Sequence, residues 1–124
     1  MAKILVCDDD KDIVEAIDIY LTQEGYEVLK AYDGDEAIKV LKRNEVDLLI
    51  MDVMMPVMDG LEATKAIREL EREDAKKIPI IAMTANAFEE DRKACLDAGM
   101  DEHIGKPIDI PLLKSAIIKM LAKS

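Results

Sequence analysis

Short apolar runs recur along the chain at Ile4–Cys7, Val28–Leu29, Leu48–Met51 and Ile80–Met83, with a weaker one around Glu102–Ile104. Runs that are apolar on both faces and too short for helices are what strands buried in a parallel sheet require. Between them, residues fall at helical spacing: Ile13, Ile17, Tyr20 and Leu21; Ala37, Ile38 and Leu41; Ala63, Ala66, Ile67 and Leu70; Asp91, Ala94, Cys95 and Ala98; Leu113, Ala116, Ile117, Met120 and Leu121. Strand and helix therefore alternate five times. Gly25 and Gly99 stand where the first and fourth helices should stop, Pro79 precedes the fourth strand, and Pro111 falls in the first turn of the fifth helix. Asp10 and Asp109 are the expected N-caps. A (βα)5 series joined by short right-handed crossovers predicts an α/β fold, an open, doubly wound parallel sheet with helices on both faces. In such a sheet the reactive crevice lies at the carboxyl ends of the strands, near the point where strand order switches.

The 124 residues suit one compact domain, residues 1–124, with no room for a separate output or catalytic domain. Charge narrows the partners. With 27 acidic and 17 basic residues the formal charge is -10, and the longest basic clusters, Lys42-Arg43 and Lys76-Lys77, are too small to form a counter-patch. Such a chain repels phosphate backbones and anionic headgroups, so no nucleic-acid or membrane partner is expected for it alone. No apolar run approaches the roughly 18 residues needed to span a bilayer. The start lacks a leader-like apolar core, and Cys7 and Cys95 have no metal-site or redox spacing, so a reduced cytoplasmic protein is expected. The most polar stretch, Glu69 to Lys77, reads as the solvated end of the third helix and its loop.

The strand ends carry the chemistry. The first strand runs into Asp8-Asp9-Asp10, the third ends at Asp52, the fourth at Thr84, and the fifth is followed by Lys106-Pro107. Carboxylates converging on one crevice repel each other and rise in pKa unless a cation lies between them. A hard divalent ion held by carboxylates, a carbonyl and waters fits, which suits Mg2+. Asp52 opens the segment Asp52-Val-Met-Met-Pro56-Val-Met-Asp59-Gly60, where Pro and Gly force a turn that exposes the carboxylate at the crevice floor. With Thr84 to hydrogen-bond a phosphoryl oxygen and Lys106 to balance charge, these parts suffice for phosphoryl transfer.

In these motifs the chain resembles, over its whole length, the response-regulator receiver domains of the CheY-like superfamily, which have a flavodoxin-like fold. The resemblance rests on Asp8-Asp9 after the first strand, on Asp52-x-x-Met-Pro-x-Met-Asp-Gly60, on Thr84-Ala85 and on Lys106-Pro107. It implies the strand order 2-1-3-4-5 and a phosphorelay role in two-component signalling. Asp52 would be the phosphoacceptor, taking the group from the phosphohistidine of a sensor histidine kinase, from a phosphotransfer protein, or from a small donor such as acetyl phosphate. Asp8, Asp9 and Asp52, with the backbone carbonyl of Met54, would hold Mg2+ or Mn2+ in its place. Thr84 would contact the phosphoryl group and shift toward it, Lys106 would pair with Asp52 and then with its phosphate, and the Lys106-Pro107 bond would be cis. The signal would leave through the face made by the fourth helix, fifth strand and fifth helix.

The chain departs from the family where a Tyr or Phe usually precedes the lysine by three residues. Here the switch position is His103, which is smaller, polar and titratable near neutrality. Met54 and Asn86 occupy the positions that modulate hydrolysis of the acyl phosphate, and an apolar Met54 cannot orient an attacking water, so a long-lived phosphorylated state is expected. Cys7 and the eight methionines read as packing residues, and Gly60 and Gly105 as turn residues. Residues up to about Gly60 resemble receivers of winged-helix transcription factors, whereas Met83–Asn86 and Ala98–Asp109 resemble those of hybrid histidine kinases.

Rival chemistries share some of these residues. Asp8-x-Asp10 is similar to the nucleophile motif of haloacid-dehalogenase-type phosphatases, which would make Asp8 the acceptor, but the third motif residue is Asp12 where Thr or Val belongs. Asp8-x-Asp10-x-Asp12 as a calcium loop lacks its glycine, having Ile13, and its closing Glu, having Ile19. A dinucleotide or flavin module lacks G-x-G-x-x-G, and its phosphate would meet an acidic loop. A docking module independent of phosphorylation would be expected had Asp52 or Lys106 been replaced.

Overall fold

The computed structural model describes residues 2–53, 55, 59–70, 77–84 and 89–123. Its elements run β1 (Lys3–Cys7), α1 (Lys11–Gln23), β2 (Glu27–Ala31), α2 (Gly34–Arg43), β3 (Leu48–Asp52), α3 (Gly60–Arg68), β4 (Ile80–Thr84), α4 (Glu89–Ala98), β5 (Glu102–Gly105) and α5 (Ile110–Lys123). The five parallel strands stand in the order β2-β1-β3-β4-β5, the flavodoxin-like arrangement expected.

Alternation along the strands divides the core in two. Ile4, Val6, Leu48, Ile50, Ile81 and Met83 face α1 and α5, where they meet Val14, Ile17, Leu21, Leu113, Ile117 and Met120. Leu5, Cys7, Leu49, Met51, Ile80 and Ala82 face α2, α3 and α4, meeting Ala37, Leu41, Ala63, Ile67 and Cys95. Every residue of β3 and β4 is buried, which is why those strands read as unbroken apolar runs. Each large aliphatic side chain sealed there contributes about 1.5–3 kcal/mol. The edge strands β2 and β5 are only partly covered, and polar residues intrude in both.

Four helix starts are capped among the described residues. Asp10 accepts from the Asp12 N–H at 3.0 Å, and Asp109 from the Leu112 N–H at 3.3 Å, as expected. Asp33 and Asp59 do the same for α2 and α3, each at 2.8 Å. Gly25 and Gly99, at φ +91° and +110°, follow α1 and α4 in the left-handed conformation that a side chain disfavours. Of the polar stretch Glu69–Lys77, residues 71–76 lie outside the described residues; α3 ends at Arg68 and Lys77 is exposed. The Arg68 guanidinium ties that end to the α4–β5 junction, donating to the Gly99 carbonyl at 2.7 and 3.1 Å and to Asp101 at 3.0 Å. Gly60 is not a turn residue of the left-handed kind: it opens α3, packed directly on the backbone of Asp52. Gly105 pairs with Thr84 as the last residue of β5. Among the described residues no helix is long and apolar enough to cross a membrane.

Candidate phosphoryl-transfer site

Register builds the site. Cys7 pairs with Met51, so the next residues, Asp8 and Asp52, emerge side by side where β1 and β3 end. Asp52 pairs with Met83 and Thr84 with Gly105, which brings Thr84 and then Lys106 to the same edge. The Lys106 N–H donates to the Thr84 carbonyl at 2.8 Å, fixing the chain as it leaves β5, and the Lys106-Pro107 bond is cis.

Asp8, Asp52 and Thr84 are buried, and Asp9 is exposed beside them. One carboxylate oxygen from each of Asp8, Asp9 and Asp52 lies within 4.8 Å of the others. The Lys106 ammonium reaches into this group, 2.8 Å from Asp8 Oδ2 and 3.3 Å from Asp52 Oδ1. Asp8 Oδ1 accepts the Asp10 N–H at 2.9 Å. Asp8 Oδ2 is buried and close to the ammonium as an ion pair, yet among the described residues no donor is aligned on it as a hydrogen bond.

These contacts set the charges. Burial and the neighbouring Asp8 carboxylate push Asp52 up to about 6, against the opposing pull of Lys106. Burial alone would lower Lys106, but Asp8 and Asp52 outweigh it and hold the ammonium above the ordinary lysine range. Among the described residues, one cation, Lys106, thus pairs with Asp8 and Asp52 in a cluster of three carboxylates. The excess acid, the oxygen spacing and the buried Asp8 oxygen without an aligned donor fit a hard divalent cation with oxygen ligands.

The neighbouring thiol takes no part in this chemistry. Cys7 Sγ donates to the Asp33 carbonyl at 3.3 Å and lies 3.6 Å from Met55 Sδ. Burial, with Asp33 and Asp8 beside it, pushes the thiol far above its usual range, so it remains protonated and packed. Cys95 is likewise buried.

A domain model for the response regulator receiver domain matches residues 4–118. The chain belongs to the response regulator receiver family. This receiver is 36% identical over 126 residues to the hybrid signal transduction histidine kinase I of Dictyostelium discoideum, covering 98% of the chain but 7% of that protein. It is 36% identical over 124 residues to the transcriptional regulatory protein CpxR of Escherichia coli, covering all of the chain and 51% of CpxR. The receiver domain of the sensor histidine kinase PA1611 of Pseudomonas aeruginosa, solved with a magnesium ion coordinated in its active-site cleft, superimposes with a TM-score of 0.88 at 35% identity, 98% of each chain being covered. The receiver thus spans about half or less of these two longer relatives.

The fold brings Asp8, Asp9, Asp52, Thr84 and Lys106 of the receiver together. Met54 and Asn86 lie outside the described residues. His103 sits in β5 opposite Ala82, with one-fifth of its side chain exposed and Nδ1 3.9 Å from Glu102 Oε1. Sequence reading passed over Thr64, a fully buried α3 residue whose hydroxyl donates to the Gly60 carbonyl at 2.7 Å. The available signal is the spacing of four from Gly60, because a threonine inside a helix can return its hydroxyl to the carbonyl one turn back.

Proposed function

We propose that Asp52 is the phosphoacceptor of this receiver and that Asp8, Asp9 and Asp52 hold the Mg2+ the reaction needs. The observation that carries this reading is the placement of Lys106 between Asp8 and Asp52, 2.8 and 3.3 Å from their oxygens. An Asp52 carboxylate oxygen attacks phosphorus, the bond from phosphorus to the donor's nitrogen or oxygen breaks, and the leaving group departs with that electron pair. Mg2+ supplies neutralisation of the phosphoryl oxygens' charge. Lys106 keeps its proton and pairs with the new phosphate, while the Thr84 hydroxyl, at the adjacent strand end, donates to one of its oxygens. Mn2+ in place of Mg2+, and the Met54 carbonyl as a further ligand, belong to the same proposal.

The donor is a histidine kinase, a phosphotransfer protein or a small acyl phosphate, as befits relatives that are histidine kinases or regulators. Movement of Thr84 toward the phosphate is coupled to His103 on β5 and changes the α4-β5-α5 face, the chain acting as one folded unit. The test is incubation with acetyl phosphate, with and without Mg2+, read by intact mass. One phosphoryl group is expected on the wild type with Mg2+ and none on Asp52→Asn; equal addition to both overturns the assignment.

A further inference from the structure

Resting on Asp52 as acceptor, we infer that Gly60 is a positioning residue for that acceptor, its missing side chain being the space in which the Asp52 carbonyl sits. A methyl group on Gly60 would overlap the Asp52 carbonyl oxygen and come within 3.0 Å of the Asp52 carbonyl carbon and of Val53 Cα. All three neighbours are backbone, so none can swing aside as a side chain could. No positive φ explains this glycine; close approach does.

The seat is clamped from both sides. The Gly60 N–H donates to the Val53 carbonyl at 2.9 Å, and the Val53 N–H donates to the Met83 carbonyl of β4 at 2.9 Å. On the helix side the buried Thr64 hydroxyl holds the Gly60 carbonyl at 2.7 Å and lies 3.8 Å from Met51 Sδ. Asp59 anchors the same helix start through the Glu62 N–H at 2.8 Å. Helix α3 therefore presses a bare Cα onto the peptide that carries the acceptor. A side chain there must displace either the helix start or the Asp52 peptide plane, and the second re-aims the carboxylate that lies 3.3 Å from Lys106.

The experiment compares phosphorylation rate constants from acetyl phosphate at saturating Mg2+, per folded molecule, for wild type, Gly60→Ala and Gly25→Ala. Gly25 is the control: its φ of +91° makes alanine strained, but a methyl there meets nothing within 4 Å and lies far from the site in sequence. A 10- to 100-fold loss, roughly that of an ångström-scale misplacement, is expected for Gly60→Ala. Gly25→Ala should lose stability and keep its rate. A rate within twofold of wild type in folded Gly60→Ala overturns the inference. If Gly60→Ala does not fold, Thr64→Val, which removes the hydroxyl bond to the Gly60 carbonyl and leaves the helix's own N–H bond to it, decides: slowing of threefold or more supports the seat, and a smaller change overturns it. The amide shifts of Asp52 and Val53, recorded without phosphodonor, separate the two claims. A wild type that takes no label condemns the acceptor reading, whereas unchanged shifts in Gly60→Ala condemn the seat.

Discussion

Lys106 Nζ stands 2.8 Å from Asp8 Oδ2, a buried oxygen on which no hydrogen-bond donor is aligned among the described residues. The pair joins the ends of β1 and β5, and it leaves Asp52 to share the same ammonium at 3.3 Å. Among the described residues that one ammonium serves a cluster of three carboxylates, and the consequences are measurable.

Asp52→Asn should stabilise the metal-free protein at neutral pH. A carboxyl whose pKa is raised on folding contributes stability below its unfolded value and loses it as pH rises through about 6, so ionised Asp52 works against the fold. Removing the charge is expected to add about 1–2 kcal/mol to the unfolding free energy in urea at neutral pH. A loss of similar size would mean that Lys106 already outweighs the repulsion.

On the proposed ligand set, Mg2+ and a proton compete for the Asp52 carboxylate. Below about pH 6 Asp52 is increasingly protonated and offers the metal less. The rise in melting temperature at a fixed Mg2+ concentration should therefore be larger near pH 7.5 than near pH 5. Thermal scans in a matched series of buffers check this; an equal or larger shift at the lower pH contradicts it.

The run Asp8-Asp9-Asp10 is divided in its duties. Asp10 accepts the Asp12 N–H at the start of α1, whereas Asp9 places an oxygen within 4.8 Å of oxygens on both Asp8 and Asp52. Asp9→Asn should weaken Mg2+ binding about tenfold or more. Asp10→Ala should cost about 1 kcal/mol of stability with less than a twofold change in affinity. Calorimetric titration with Mg2+, paired with urea melts, reads both.

Arg68 braces the scaffold. Its bonds to the Gly99 carbonyl and to Asp101 tie α3 to the α4–β5 junction, and Asp101 also accepts the Ile80 N–H at 2.9 Å. Arg68→Ala should lower stability by about 1.5–3 kcal/mol while leaving the phosphorylation rate per folded molecule unchanged.

Much of this molecule was legible in the chain because burial on both faces leaves apolar runs such as Leu48–Met51, and because acids and a lysine placed at strand ends have few bland explanations. Strand order 2-1-3-4-5 came from resemblance, since periodicity does not say which strands are neighbours. Edges were the weak point: β2 extends over Glu27–Ala31, beyond its apolar core Val28–Leu29, because a partly exposed strand tolerates Glu27 and Lys30. The Pro-Gly pattern predicts a turn at Gly60, whereas the glycine is required by its contact with the Asp52 backbone, a relation between residues eight apart that no local periodicity encodes. The Arg68 clamp spans 31 residues to Gly99 and was equally invisible.

The most direct test of the account is the position of the phosphoryl group. The protein phosphorylated with acetyl phosphate and Mg2+ is reduced with borohydride, which converts an aspartyl phosphate to homoserine, and its peptides are sequenced by mass spectrometry. The account predicts that the altered residue is Asp52 alone, and that the alteration disappears when Mg2+ is withheld. An alteration at Asp8, or none that depends on the metal, would contradict it.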